Sequence, residues 1–248
     1  MSKLIDELNK SYRSVAPSMG FRKDTDVSKK PLLLLIADLT AKTIKDIKAI
    51  IEAGVDAVIV RGAGLKPDAM QKLLNNTGEV PAGLIIDDDN WDKYTEFLQS
   101  GSDFVICNSK TPVSVLTRDG LGKILRVEPS LAPGMVRAIN ELNLPVDGIL
   151  VDSEDTTITI ERLLVCHYVS GIVGKPILTA VGASLTAVDL QELYEAGVHG
   201  LLLPGEVSVK ALSELKQSIN NMPRTIRKKQ QSNVILPSMK RDSEIEMD

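Results

Sequence analysis

Three carboxylates, Asp38, Glu128 and Asp152, each close a short apolar run, and two arginines, Arg61 and Arg126, stand at or near the ends of two others. An ionised group at the edge of an apolar segment is costly unless it finds a cation, a metal or hydrogen bonds. Carboxylates so placed serve as general acids and bases, or as ligands for a hard cation such as Mg2+. Guanidinium groups pair bidentately with carboxylate or phosphate, so Arg61 and Arg126 are candidates for holding a substrate anion. Asp87 and Asp152 are the candidate metal ligands, whereas Asp89 reads as the cap of a helix beginning near Trp91. Arg126 and Glu128 are two residues apart on one strand and therefore share a face.

Other chemistries are disfavoured by what surrounds these residues. His167 falls within a helical pattern and His199 lies at the entrance of an apolar strand, so neither suits a zinc site or a Ser–His–Asp triad. No strand interior carries a lysine for Schiff-base formation. Cys107 ends an apolar run as the one candidate nucleophile, but with no histidine near it in sequence it reads as a buried, inert thiol.

The elements that must position these groups recur along the chain. Residues 52–60, 99–107 and 195–203 are three spellings of one segment, a helix end, a glycine stop and an apolar strand, and 144–151 is a fourth that lacks the glycine. Gly54, Gly101 and Gly197 are separated by 47 and 96 residues, which fits two and four units of about 24 residues, one strand plus one helix each. Strands entered through Pro or Lys fill the gaps, giving eight that start near residues 31, 56, 82, 103, 123, 147, 176 and 200. Helical patterns follow at 43–53, 67–75, 91–100, 112–118, 133–142, 157–172, 186–196 and 207–219. Eight strand–helix units in residues 31–221 predict a single (β/α)8 barrel, and no Gly-rich dinucleotide turn follows the first strand to suggest an open sheet. Residues 1–30 read as an N-terminal extension whose Leu4, Ile5, Leu8 and Tyr12 cap the barrel bottom, and residues 222–248 as a charged, disordered tail.

In a barrel of this type chemistry sits at the C-terminal ends of the strands, where Asp38, Arg61, Asp87 to Asp89, Asn108, Glu128 and Asp152 to Asp155 all fall. The last two strand ends, Val181-Gly182-Ala183-Ser184 and Leu203-Pro204-Gly205, resemble those of the phosphate-binding (β/α)8 barrels, among them thiamine phosphate synthase and the barrels of tryptophan and histidine biosynthesis. The resemblance implies that Gly182, Ser184 and Gly205 offer backbone N–H groups to a phosphate. It departs at Val181, where paired glycines are usual, and at Glu206, where a small residue is.

The 43% hydrophobic and 25% charged composition suits one globular domain. The chain carries −4 overall; the ends, at +3 for residues 1–30 and +2 for 222–248, leave −9 for 31–221, which argues against nucleic acid as a partner. The longest early apolar run is too short for a transmembrane segment, and two unpaired-looking cysteines point to the cytoplasm. The helix at 157–172 is apolar on all sides, so a second cover is expected, either a partner subunit or the chain's own termini, and a homo-oligomer is favoured. The function expected is an enzyme, a lyase, isomerase or synthase, acting on a small anionic, phosphorylated metabolite with Mg2+. An FMN-binding oxidoreductase is one alternative. A non-catalytic barrel serving as an assembly subunit, its mouth closed by ion pairs, is the other.

Overall fold

The structure, a computed structural model, describes residues 2–13, 31–40, 42–62, 71–73, 75–87, 94, 98, 101–142, 144–152 and 156–223. Eight parallel strands close into a barrel in sequence order: β1 (Leu34–Asp38), β2 (Ala57–Arg61), β3 (Ala82–Ile85), β4 (Phe104–Cys107), β5 (Gly122–Val127), β6 (Gly148–Val151), β7 (Ile177–Ala180) and β8 (Val198–Leu203). The described helices are α1 (Lys3–Arg13), α2 (Ile44–Glu52), α3 (Val113–Leu116), α4 (Pro133–Glu141), α5 (Ile160–Val173), α6 (Ala187–Glu195) and α7 (Val209–Asn220). Helical backbone is also present at 71–73, 75, 94 and 98, inside the helices expected at 67–75 and 91–100. The rest of those two helices, Asp89, Trp91, the N-terminal stretch 14–30 and the tail 224–248 lie outside the described residues.

The recurring glycine does what its spacing implied. Gly54, Gly101 and Gly197 have φ of 86°, 98° and 97°, the left-handed region in which an L side chain is strained, and each turns a helix end into the next strand. The polar residue two positions later then has a second task. Asp56 accepts a hydrogen bond from Leu35 N at 2.7 Å, Asp147 from Lys123 N at 2.8 Å, and His199, standing where the others have Asp, from Ile177 N at 3.3 Å. Each satisfies a backbone donor at the entrance of the preceding strand, which would otherwise lack a partner at the barrel's lower rim.

Asp103, the remaining member of the series, is used differently. Its carboxylate accepts from Ser2 Oγ and Lys3 N, both at 2.7 Å, and from Leu4 N at 3.0 Å, so it caps the N-terminus of α1 from a hundred residues away. That cap holds α1 across the lower mouth, where Leu4, Ile5 and Leu8 join the barrel's interior cluster. Tyr12 stacks edge-on against His199 at 5.2 Å. Phe104 fills the middle of the barrel over Gly83, where a Cβ would stand 2.3 Å from its ring. The second core, between strands and helices, is mostly aliphatic, with Tyr94 and Tyr194 as its aromatics among the described residues. Thr43 with Asp46 and Thr186 with Asp189 form capping boxes that start α2 and α6, and Thr159 and Ser208 cap α5 and α7.

Candidate active site

Because side chains alternate along a strand, the residue two beyond an interior one also faces inward. Ile36, Ile59, Ile85, Ile124 and Leu150 form an interior layer, and Asp38, Arg61, Asp87, Arg126 and Asp152 stand two residues further up the same strands or just past them. The five alternate in sign around five of the eight strands and link into a chain. Arg61 Nε donates to Asp38 Oδ2 at 2.9 Å and its NH1 to Asp87 Oδ2 at 3.3 Å. Arg126 NH1 donates to Asp87 Oδ1 at 2.8 Å, while its Nε lies 3.7 Å from Asp152 Oδ2.

The links differ in strength. Asp38 is 5% exposed and is held by Arg61, by Thr40 N at 2.8 Å and by the Thr40 hydroxyl. Thr40 Oγ1 in turn accepts from Arg61 N at 3.1 Å, so one threonine fixes both ends of that pair. Burial alone would depress the Arg61 guanidinium, but the hydrogen bond and charge of Asp38, then those of Asp87, hold it above its ordinary value. Asp152 sits at the other extreme. Its side chain is 34% exposed, and 3.7 Å is too long for a hydrogen bond, so it is the loosest carboxylate of the chain. Three acids against two arginines leave one negative charge, and the geometry places it at Asp152.

Glu128 is not brought into this chain. The strand ends at Val127, Pro129 follows, and among the described residues the exposed Glu128 carboxylate accepts a long 3.4 Å contact from Ser130 Oγ. Asp87 and Asp152 share Arg126, so a guanidinium stands where the metal was expected. Among the described residues no three His, Cys, Asp or Glu side chains converge on a metal position. Asn108, at the same height on β4, is consumed in its own turn, accepting from Lys110 N at 2.9 Å and donating to Ile86 O at 3.3 Å.

The expected phosphate loops lie between the two ends of the chain, Gly182 and Ser184 after β7 beside the Asp152 strand and Gly205 after β8 beside the Asp38 strand. Gly205 packs its backbone on β1, and a Cβ there would be 3.0 Å from Thr40 O and 3.3 Å from Asp38 O. Gly182 donates from N to Thr156 O at 3.3 Å, and Ser184 lies exposed on the loop leading to α6. After β8 a turn closed by Val207 N to Pro204 O at 3.3 Å runs directly to the Ser208 cap of α7, with no short extra helix between.

Two further side chains complete the upper barrel. Arg162, one of the two charges on α5, points inward, is buried, and donates from NH1 to Ala180 O at 2.8 Å at the end of β7. An arginine within an otherwise apolar helix was the sequence signal for it. Burial pushes the Cys107 thiol up to about 12, and its Sγ lies 3.4 Å from Ile124 O, so it is no nucleophile. Cys166 is raised to about 11, chiefly by burial, against the opposing pull of the Thr179 side chain and of Arg162.

No known family's sequence profile matches the chain, and no curated protein matches it. Solved structures do. A mutant tryptophan synthase α-subunit from Pyrococcus furiosus is 15% identical with a TM-score of 0.58, covering 76% of this chain and 97% of its own. The ligand-free tryptophan synthase mutant from M. tuberculosis is 12% identical with a TM-score of 0.61, covering 89% and 98%. A protein from Aquifex aeolicus VF5 is 12% identical with a TM-score of 0.62, covering 91% and 100%. At these identities the similarity establishes the (β/α)8 fold. No described helix is long and apolar enough to cross a membrane.

Proposed function

We propose that the protein is an enzyme acting on a small anionic, phosphorylated metabolite by lyase, isomerase or synthase chemistry. The observation that carries this reading is the unequal hold on the two ends of the charged chain at the barrel mouth, tight at Asp38 and loose at Asp152. Asp38 and Thr40 position Arg61, and Asp87 holds one edge of Arg126. Arg126 then has its remaining donors to offer a substrate oxyanion, and Asp152 is the carboxylate able to take or return a proton beside it. Gly182 N is already given to Thr156 O, so the exposed Ser184 and the backbone at Gly205 would hold a phosphate. Tryptophan synthase α-subunits among the barrels of similar fold support chemistry of the synthase or lyase type. Mg2+ has its place in this reading as a companion of the substrate's phosphate.

A second reading is favoured by one specific observation: each of the five charges already lies within 3.7 Å of an opposite charge, as in a barrel that only assembles with others. Thermal melts of the full chain with inorganic phosphate and with Mg2+ separate the two. A phosphate-dependent rise in Tm that Arg126→Met removes is the expected result. No shift with any anion, together with wild-type melting of the unliganded protein, would move the assignment to the non-catalytic barrel. A visible absorption band in purified protein would assign the phosphate loops to FMN instead.

A further inference from the structure

Helix α5 buries Arg162, Cys166, Val169 and Val173 against the barrel, yet its outer face is apolar too. Ile160, Leu164 and Tyr168, spaced one turn apart, are 78%, 64% and 39% exposed. Gly171, the next position of that stripe, has no atom within 4 Å of where a Cβ would stand. The corresponding faces of α2 and α7 carry Lys45 and Lys48, and Lys210 and Glu214. Beside the stripe, between α4 and α5, lies a cleft of about 370 Å³ lined by Val136, Leu164, Val165, Tyr168 and Val169, with Glu128 at its rim.

We infer that this face is where the protein associates with a second copy of itself, the two α5 helices packing antiparallel across a two-fold axis. The order of residues along the seam is self-complementary. Ile160, Leu164, His167 and Gly171 follow the alternating four- and three-residue spacing of a helix-pairing seam. An axis between positions 165 and 166 sets Ile160 of one copy over Gly171 of the other and Leu164 over His167, each contact made twice. At the Ile160–Gly171 pair a large side chain then meets a bare backbone, and glycine, which weakens a helix interior, allows close approach of the axes there.

Charge points the same way. Residues 31–221 carry −9, so two copies repel each other over most of their surface. On α5 the only carboxylate is Glu161, and the antiparallel arrangement brings it within about a turn of His167 on the other copy, with the helix dipoles opposed. The size is sufficient as well. Fourteen residues make a face about 21 Å long, and three adjacent helices at 8–10 Å spacing make it roughly 30 Å wide. That is roughly 600 Å² from each copy, or about 1,200 Å² in all, at the lower edge of stable protein interfaces.

Sedimentation equilibrium on the full chain tests this. The expected result is twice the monomer mass, with Leu164→Glu and Ile160→Lys each returning the monomer mass while far-UV circular dichroism stays unchanged. Lys210→Glu on α7 leaves the dimer intact. An Ile160→Cys protein mixed with a Gly171→Cys protein forms a disulfide-linked pair, and Gly171→Cys alone does not. A wild-type monomer at every concentration, or a dimer indifferent to Leu164→Glu and Ile160→Lys, overturns the proposal. So does a monomer that binds a hydrophobic dye only after removal of 224–248, which would assign the face to Val234, Ile235 and Leu236 of the tail.

Discussion

At the strands' N-terminal end the barrel is stoppered by Leu4, Ile5 and Leu8 of α1; at the other end the same interior column is covered by Asp38, Arg61, Asp87, Arg126 and Asp152. Both ends are closed over the same aliphatic layer, but the closures respond differently to a ligand. Below, the carboxylates of the recurring motif are committed: Asp103 takes three hydrogen bonds, Asp147 takes Lys123 N, and Asp56 takes a backbone N–H and the Lys216 ammonium at 2.6 Å. Above, the hold weakens around the ring until Asp152 and Arg126 are only loosely paired and partly open to solvent. A layer that is apolar and saturated gives stability. A layer of charges whose pairing loosens from the buried Asp38 to the partly exposed Asp152 gives up some of that stability and leaves polar groups open to a ligand.

The contrast is most directly broken from below. Leu8 is fully buried, so Leu8→Asp places an unpaired charge in the barrel and should cost about 4 kcal/mol or more, read as a collapse of the urea midpoint. A wild-type midpoint would show that α1 is not part of the core. Arg61→Leu strips the buried Asp38 of its cation. The expected loss is about 1–3 kcal/mol, reduced from the value for a fully buried pair because Arg61 is itself well solvated. Adding Asp38→Asn to Arg61→Leu should recover part of it, because the orphaned charge then goes.

Asp103→Ala tests the cap at the lower end. It should cost about 1–2 kcal/mol and speed amide exchange at Lys3 and Leu4, leaving the mouth unaffected. Asp152→Asn has the smallest structural effect, under about 0.5 kcal/mol, since its ion pair is long and screened. In the proposed enzyme the same change abolishes turnover, so it is the one substitution whose functional loss should far exceed its loss of stability. Equal losses would place Asp152 with the structural acids below.

The repeat made the barrel legible. Strand starts read near 31, 56, 82, 103, 123, 147, 176 and 200 are found at 34, 57, 82, 104, 122, 148, 177 and 198. Left-handed glycine and an apolar run are local properties of the chain, and local physics sufficed. The site was legible only in part. Strand-end position picked out Asp38, Arg61, Asp87 and Asp152, and the alternation of side chains put Arg126 among them. The same alternation pointed to Glu128, but the chain leaves β5 at Val127 and Pro129 carries the carboxylate outward. Thr40 and Arg162 escaped because neither ends a strand and each acts on a partner in another unit: Thr40 on Arg61, and Arg162 on Ala180.

Sequence alone therefore determined the number of strands, their parallel order, the two ends of the barrel and the charged character of the upper one, since all of these follow from period, glycine and apolar patterning within about 24 residues. Tertiary structure alone decided which charge meets which. Arg61 reaches Asp38 and Asp87 across 23 and 26 residues, and Arg126 reaches Asp87 across 39. It also decided that three residues of one recurring motif, Asp56, Asp147 and His199, serve the neighbouring strand while Asp103 caps α1. Pairings of that kind depend on how the strands are staggered when the barrel closes, and stagger is a property of the closed sheet that no single unit carries.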